Sequence, residues 1–210
     1  SCYGKKIMVT TPLIAPFQAI NSLIAGCMAT VNTGIALSEA FATIEKLSDV
    51  RGRLECVAKL KDNNIFIDYA HTPDALLNVL ETIVKIKQNE NSIITVVGCG
   101  GGRGRAKRLK MGSIASRLSQ KVIFTSDNPR DEDPKSIIED MIAGVDDADK
   151  SKILNIVDRK EAIVKASKVA KPNDILLVAG KGHEKYQIIK SKKIRFNDKE
   201  ILTQTLKMAV

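Results

Sequence analysis

Ile65-Phe66-Ile67-Asp68-Tyr69-Ala70-His71-Thr72-Pro73 decides how this chain is built. A short β-prone apolar run stops abruptly in polar residues, and a proline follows where a helix can begin. The same figure returns three times. Ile93 to Val97 ends in Gly98-Cys99-Gly100-Gly101-Gly102-Arg103, Val122-Ile123-Phe124 ends in Thr125-Ser126-Asp127-Asn128-Pro129-Arg130, and Ile175 to Val178 ends in Ala179-Gly180-Lys181-Gly182-His183-Glu184. In an open α/β sheet the loops after the carboxyl ends of the strands border one crevice, where ligands bind. These four loops hold most of the chain's convergent Arg, Asp, Glu, Asn and His, so one binding site is expected there.

Working outward, strands are expected at 54–60, 64–69, 92–98, 121–125, 153–157 and 174–179. Helices are expected at 73–87, 108–119, 134–143, 159–170 and 198–208. Pro73 and Pro134 suit first helical positions, Asp158 suits a cap, and Tyr186 to Phe196 reads as a hairpin broken near Ser191. Such alternation implies a largely parallel sheet with helices on both faces. Residues 1–49 read differently. A short strand at 6–10 is followed by helical spacing of Phe17, Ile20, Ile24, Met28 and Val31, then of Ile35, Ala36, Ala40, Ile44 and Leu47. Two helices cannot bury all of that by themselves, so this segment reads as the tail end of another domain, and the main domain as 50–210.

The 210 residues are 44% hydrophobic, enough for one good core and part of another. No apolar run approaches the 18 or so residues of a membrane span, and the first residues lack the pattern of a secretion signal. Cys2, Cys27, Cys56 and Cys99 are widely spaced, which fits a reducing cytoplasm and argues against a metal site. The net charge of +9 admits nucleic acid, membrane surfaces or small anions as partners. With aromatics at 4% and none interleaved among the lysines, stacking platforms for nucleic acid are lacking, and a solvated lysine-rich surface is the plainer reading.

Each loop also has a plain explanation. The glycine run has no G-x-x-x-x-G-K-[ST] and no continuation that opens a helix in the dinucleotide-binding manner, so it is either an anion-facing loop or a flexible basic turn. Asp127-Asn128-Pro129-Arg130 fits a turn before a helix, yet the Arg130 fork suits a carboxylate and Asp127 an ammonium. Asp68 and His71 are candidates to cap the helix at Pro73, and His183 to be a surface histidine. Together, four such loops on one sheet edge favour a site.

These strings, in this order, resemble the C-terminal part of the Mur ligases, in the branch that adds the third residue to UDP-N-acetylmuramoyl-dipeptide. The resemblance runs nearly the whole chain. It rests on Phe17 with Asn21, Gly52-Arg53 with Glu55, Asp68 to Ala75, Gly98 to Gly112, Thr125 to Arg130, Asp133-Pro134, Val178 to Glu184, Tyr186-Gln187, and Phe196 with Asp198. It implies a Rossmann-like amino-acid-binding domain at 50–210, preceded at 1–49 by the end of a central ATPase domain. It implies cytoplasmic, ATP-dependent amide formation through an acyl phosphate in peptidoglycan synthesis. The partners would be meso-diaminopimelate, UDP-N-acetylmuramoyl-dipeptide and ATP, with no nucleic acid and no membrane. Mg2+ and most contacts to ATP would belong to the central domain, whose P-loop is absent here, so catalytic residues are not expected in this chain and activity is not expected of it alone.

Matched position by position, Arg103, Asn128 and Arg130 would hold the distal carboxylate of diaminopimelate. Gly180 (through its carbonyl) and Glu184 would take the distal ammonium, with Asp127 and Pro129 in the same motif. Arg53 and Asp68 would reach the phosphates and ribose of ATP; Tyr69 and His71 are lesser candidates. Lysine lacks the distal carboxylate and would leave two arginines unpaired. Breaking a buried pair costs about 3–5 kcal/mol, roughly two to three and a half decades of discrimination. Two departures stand out. Gly102 and Gly104 replace aspartates that flank the arginine in the family, which loosens Arg103, and Ala15-Pro16-Phe17-Gln18 replaces a Gly-x-Phe-Asn string. The rival readings are a relative adding lysine, a basic nucleic-acid-binding α/β module, and a remnant that binds without catalysing.

Overall fold

The computed structural model describes residues 7–60, 63–88, 90–102 and 104–207, in two compact units, Ser1–Val50 and Arg51–Val210. In the first unit, α1 (Pro16–Thr33) starts on its proline and ends at Gly34, whose N–H donates to the Thr30 carbonyl. α2 (Leu37–Ala42) follows, then a 3-10 turn, Ile44–Lys46. The second helix is shorter than its apolar spacing suggested because the Thr43 hydroxyl donates to the Ala40 carbonyl (2.6 Å) and closes the turn early. Residues 7–10, expected in a strand, lie in none; Lys6 is outside the described residues. The buried stripe of α1 is Gln18, Ser22 and Gly26, with the Phe41 ring of α2 against Gly26, while Ile20, Ile24, Met28 and Val31 are exposed. A bulky ring needs a groove of small residues, so the polar and small face packs and the apolar one does not.

The second unit is an α/β layer structure. Its strands are β1 (Glu55–Leu60), β2 (Asn63–Asp68), β3 (Ile93–Val97), β4 (Lys121–Phe124), β5 (Ile153–Asn155) and β6 (Ile175–Ala179). They form one sheet in the order β1-β2-β6-β3-β4-β5, parallel throughout except for β1. All five residues of β3 and of β6 are buried, as strands covered on both faces require. On one face, Ile94, Val96, Ile123, Leu176 and Val178 meet Ala162, Ile163 and Ala166 of α6 (Arg159–Val169) and Leu202 of α7 (Asp198–Lys207). α3 (Pro73–Ile86), α4 (Arg105–Leu118) and α5 (Pro134–Ile142) pack in series, and α4 also meets β3 and β4. Pro73, Pro134 and the Asp158 cap, whose carboxylate accepts from Glu161 N–H at 2.9 Å, start helices as expected.

A two-stranded hairpin, β7 (Tyr186–Ile189) and β8 (Lys192–Arg195), lies apart from the main sheet. β2, β6, β3 and β4 are direct neighbours, so the four loops named above leave the sheet side by side. That adjacency, invisible in chain order, is what assembles the site.

Candidate functional site

The four loops enclose a polar cleft of about 80 Å3. The β2 loop contributes Tyr69 and His71, the β3 side Gly98, Gly100 and Lys107, the β4 loop Asp127, Asn128 and Arg130, and the β6 loop Gly180 and Glu184. A wider hollow, about 380 Å3, runs along α6, but one helix lines it and no groups converge there.

The β4 loop is tied from three sides. Asn128 Oδ1 accepts from Lys181 Nζ (2.8 Å) and from Ile188 N–H (2.9 Å). Its Nδ2 donates to Glu184 Oε2 at 3.1 Å, which leaves the second N–H for a ligand acceptor. Arg130 sits in the left-handed region (φ 53°), held by its N–H to the Ile188 carbonyl and by Lys190 N–H to its own carbonyl. Its Nη1 donates to the carbonyls of Gly101 (2.8 Å) and Asn128 (3.3 Å). Gly101 in turn donates its N–H to the Asn128 carbonyl, and a Cβ there would collide with the carbonyl oxygen of Pro129. Buried Gln187 donates to the Asp127 carbonyl at 2.6 Å.

Lys181, which sequence reasoning did not single out, is the centre of the cluster. The side chain is fully buried, and Nζ meets Asn128 Oδ1, the Tyr186 carbonyl (2.9 Å), Asp127 Oδ1 (3.0 Å) and Glu184 Oε2 (3.2 Å). Its only textual signal was its place between two glycines after an apolar strand. Glu184 Oε1 faces the Tyr69 hydroxyl loosely, at 3.4 Å. Burial and the Glu184 carboxylate push the Tyr69 phenol above its ordinary value.

The glycine run corrects an expectation. The correction is one of boundary: α4 opens at Arg105, three residues before the expected start, with Gly104 as cap. The reason lies beneath it. Arg108 is buried and pairs with Glu132 (2.8 Å) and Asp140 (3.1 Å), while Glu132 also accepts the Gly102 N–H. Arg103 itself lies outside the described residues. The Arg108 guanidinium and the Gly102 N–H hold the Glu132 carboxyl below the ordinary glutamate value.

Asp68 and His71 do not cap α3; Thr72 does, accepting from Ala75 N–H. The buried Asp68 carboxylate instead accepts from Leu54 and Ala70 N–H, each at 2.6 Å, and burial raises its pKa. That clamp holds Leu54 at φ 47° and places exposed Arg53 over the Tyr69 ring, 4.8 Å from its centroid. Gly52 (φ 67°) lies so close to the Gly182–His183 backbone that no side chain fits. His183 is exposed. Cys99, beside the cleft, is buried and its thiol is pushed up to about 12, which leaves it unreactive.

The cleft thus pairs a carboxylate edge held only by the long Tyr69 contact with cations and a donor amide, an arrangement suited to holding a small molecule that carries both charges.

The family model described as "Mur ligase, glutamate ligase domain" matches residues 52–182. The UDP-N-acetylmuramoyl-L-alanyl-D-glutamate--2,6-diaminopimelate ligase of Bacteroides fragilis is 46% identical over 197 residues, covering 94% of this chain and 40% of that protein. The ligase of the same name from Lactiplantibacillus plantarum is 45% identical over 206 residues, 98% of this chain and 41% of that protein. A solved structure of an enzyme so named superposes with a TM-score of 0.72 at 37% identity, over 96% of this chain and 40% of that one. The chain spans about two-fifths of the length of the curated relatives it matches. Four loops on one sheet edge, with the family model running from the Gly52 loop to Gly182, lead to one conclusion: the chain belongs to the Mur ligase family, whose members are ATP-dependent ligases.

Proposed function

We propose that this chain is the amino-acid-binding portion of a cytoplasmic ligase that adds meso-2,6-diaminopimelate to UDP-N-acetylmuramoyl-L-alanyl-D-glutamate in peptidoglycan synthesis. The relatives named for that reaction support it, and one observation carries it. One small cleft is lined by Gly180, Glu184, Asn128 and Arg130 together, and the Asn128 amide spends one N–H on Glu184 and keeps the other. The distal end of diaminopimelate, an ammonium and a carboxylate on one carbon, matches that layout; the bare ammonium of lysine matches half of it.

In this reading Arg130, Asn128 and Arg103 receive the distal carboxylate, with Pro129 shaping their turn. Glu184 and the Gly180 carbonyl receive the ammonium, and Asp127 adds negative potential behind them. The domain boundary falls near residue 50, and 1–49 ends a central ATPase domain. ATP, with Mg2+ held mainly by the rest of the enzyme, supplies the phosphoryl group that activates the nucleotide-dipeptide carboxylate as an acyl phosphate. Arg53, exposed and cationic, suits the phosphates; Asp68, with both oxygens already accepting backbone N–H groups, serves ATP by holding that loop. The role of this chain is to fix the amino acid so that its proximal amine meets the acyl carbon, which makes its contribution one of positioning.

Amide NMR titration of the labelled chain with meso-diaminopimelate and with L-lysine tests this. Shifts at Asn128, Arg130 and Glu184 with diaminopimelate alone are expected. Equal shifts with both would refute selectivity for the distal carboxylate.

A further inference from the structure

Lys181 brings a full positive charge, with no exposure of its side chain, into the place where an ammonium ligand is to be recognised. It is not a satisfied bystander. Its Nζ meets both carboxylates of the cleft, Asp127 at 3.0 Å and Glu184 at 3.2 Å, together with the amide oxygen of Asn128 at 2.8 Å. Asp127 Oδ1 has no other polar partner, so the lysine is its counter-ion. Glu184 is divided: Oε2 is taken by Lys181 and Asn128, and only Oε1 remains, turned to the Tyr69 hydroxyl.

The charge count then fixes what the cleft prefers. Without Lys181 the two carboxylates would balance Arg130 and Lys107, and a bare ammonium would meet no excess of positive charge. With Lys181 behind them, the described charges in and against the cleft are three positive (Lys107, Arg130, Lys181) to two negative (Asp127, Glu184), so a bare ammonium adds to an excess of positive charge and a neutral zwitterionic end does not. We infer that Lys181 is a positioning and specificity-determining residue, an internal ammonium that neutralises Asp127 and half of Glu184 so that the cleft selects an ammonium–carboxylate end over a bare ammonium. The inference rests on the proposed function for its ligand, while the counter-ion role does not depend on it.

The test has two arms. In the first, Kd values of the chain for meso-diaminopimelate and L-lysine are measured before and after Lys181→Met. The ratio favouring diaminopimelate is expected to fall about tenfold or more, the scale of one charge–charge contact in a partly solvated site. A folded variant with an unchanged ratio, both ligands weakened alike, would mean the lysine is merely structural and would overturn the specificity role. The second arm uses no ligand. Lys181→Met is expected to lower Tm, and adding Asp127→Asn and Glu184→Gln to it should raise Tm again, because the charges left unpaired are then removed. Should Lys181→Met fail to fold, the triple variant is expected to restore folding. Additive losses, or a triple variant that stays unfolded, would overturn the counter-ion role. A wild-type chain that does not prefer diaminopimelate would count against the ligase reading, with the second arm still deciding the lysine.

Discussion

Two fully buried cations flank Gly180, and they are built differently. Arg159 reaches up from the first turn of α6 and grips Asp198 with two parallel bonds, 2.9 and 2.8 Å, while a third goes to the Ala179 carbonyl. Both partners of that pair are fully buried. Lys181 shares one Nζ among two carboxylates, an amide and a carbonyl, and Glu184 keeps part of its surface in solvent. A planar guanidinium closed on one carboxylate is a lock with its geometry fixed. An ammonium spread over several acceptors is a point charge around which neighbours can be arranged, and one acceptor edge stays open. The first joins α6, α7 and the end of β6; the second lies behind the two carboxylates that line the cleft.

The strongest way to break this contrast is Arg159→Met. It would strand the Asp198 carboxylate in the core, and a loss of about 3–5 kcal/mol is expected in urea unfolding. Replacing both partners, Arg159→Met with Asp198→Leu, should recover most of that loss, because the cost lies in the charge left behind. A single variant of near wild-type stability would show that water reaches the pair and that the lock is not sealed.

Arg130 sharpens the comparison from the ligand side. Its Nη1 already donates to the Gly101 and Asn128 carbonyls, which hydrogen-bond the guanidinium without neutralising it. A lysine-like ligand therefore strands less than an isolated buried cation would. Arg130→Lys in the intact enzyme is expected to raise the Michaelis constant for diaminopimelate roughly ten- to hundredfold, the range of about 1.5–3 kcal/mol for hydrogen bonds to a charged group. Because the left-handed backbone at this position is held by the hairpin, Tm should move little. An unchanged constant would remove Arg130 from the carboxylate site.

The sheet and its loops were legible in the sequence because buried strands are continuous apolar runs, and because Pro73, Pro134 and Asp158 mark helix starts by local chemistry alone. The meeting of the four loops followed from one rule about strand ends. Sequence reasoning failed where a residue's meaning depends on distant partners. Lys181 looked like any lysine until Asp127, Asn128 and Tyr186 were placed around it. Asp68 looked like a cap because Leu54, which it clamps, precedes it by fourteen residues. The early start of α4 depended on Arg108 finding Glu132 and Asp140. In α1 the apolar stripe was visible, but the fact that Phe41 would choose the opposite, small-residue face was not.

The smallest expected effect concerns the third arginine cluster, which is intermediate between the lock and the cleft. Arg108 is buried like Arg159, yet its partner Glu132 is partly exposed and also holds the Gly102 N–H of the glycine turn. The arginine, and then that N–H, keep the Glu132 carboxyl below its ordinary 4.5. A carboxyl whose folded value is depressed stabilises the fold above its unfolded value, and that contribution is lost as pH falls through the folded value. The Gly102 amide signal should therefore shift on acidification with a midpoint below 4.5, and Arg108→Met should move that midpoint upward toward it. Solvent weakens the effect, so global stability should hardly respond while the turn loosens locally. A midpoint unmoved by loss of Arg108 would mean that the backbone N–H alone holds the carboxylate. The glycine turn would then be anchored by Glu132 without the buried arginine beneath it.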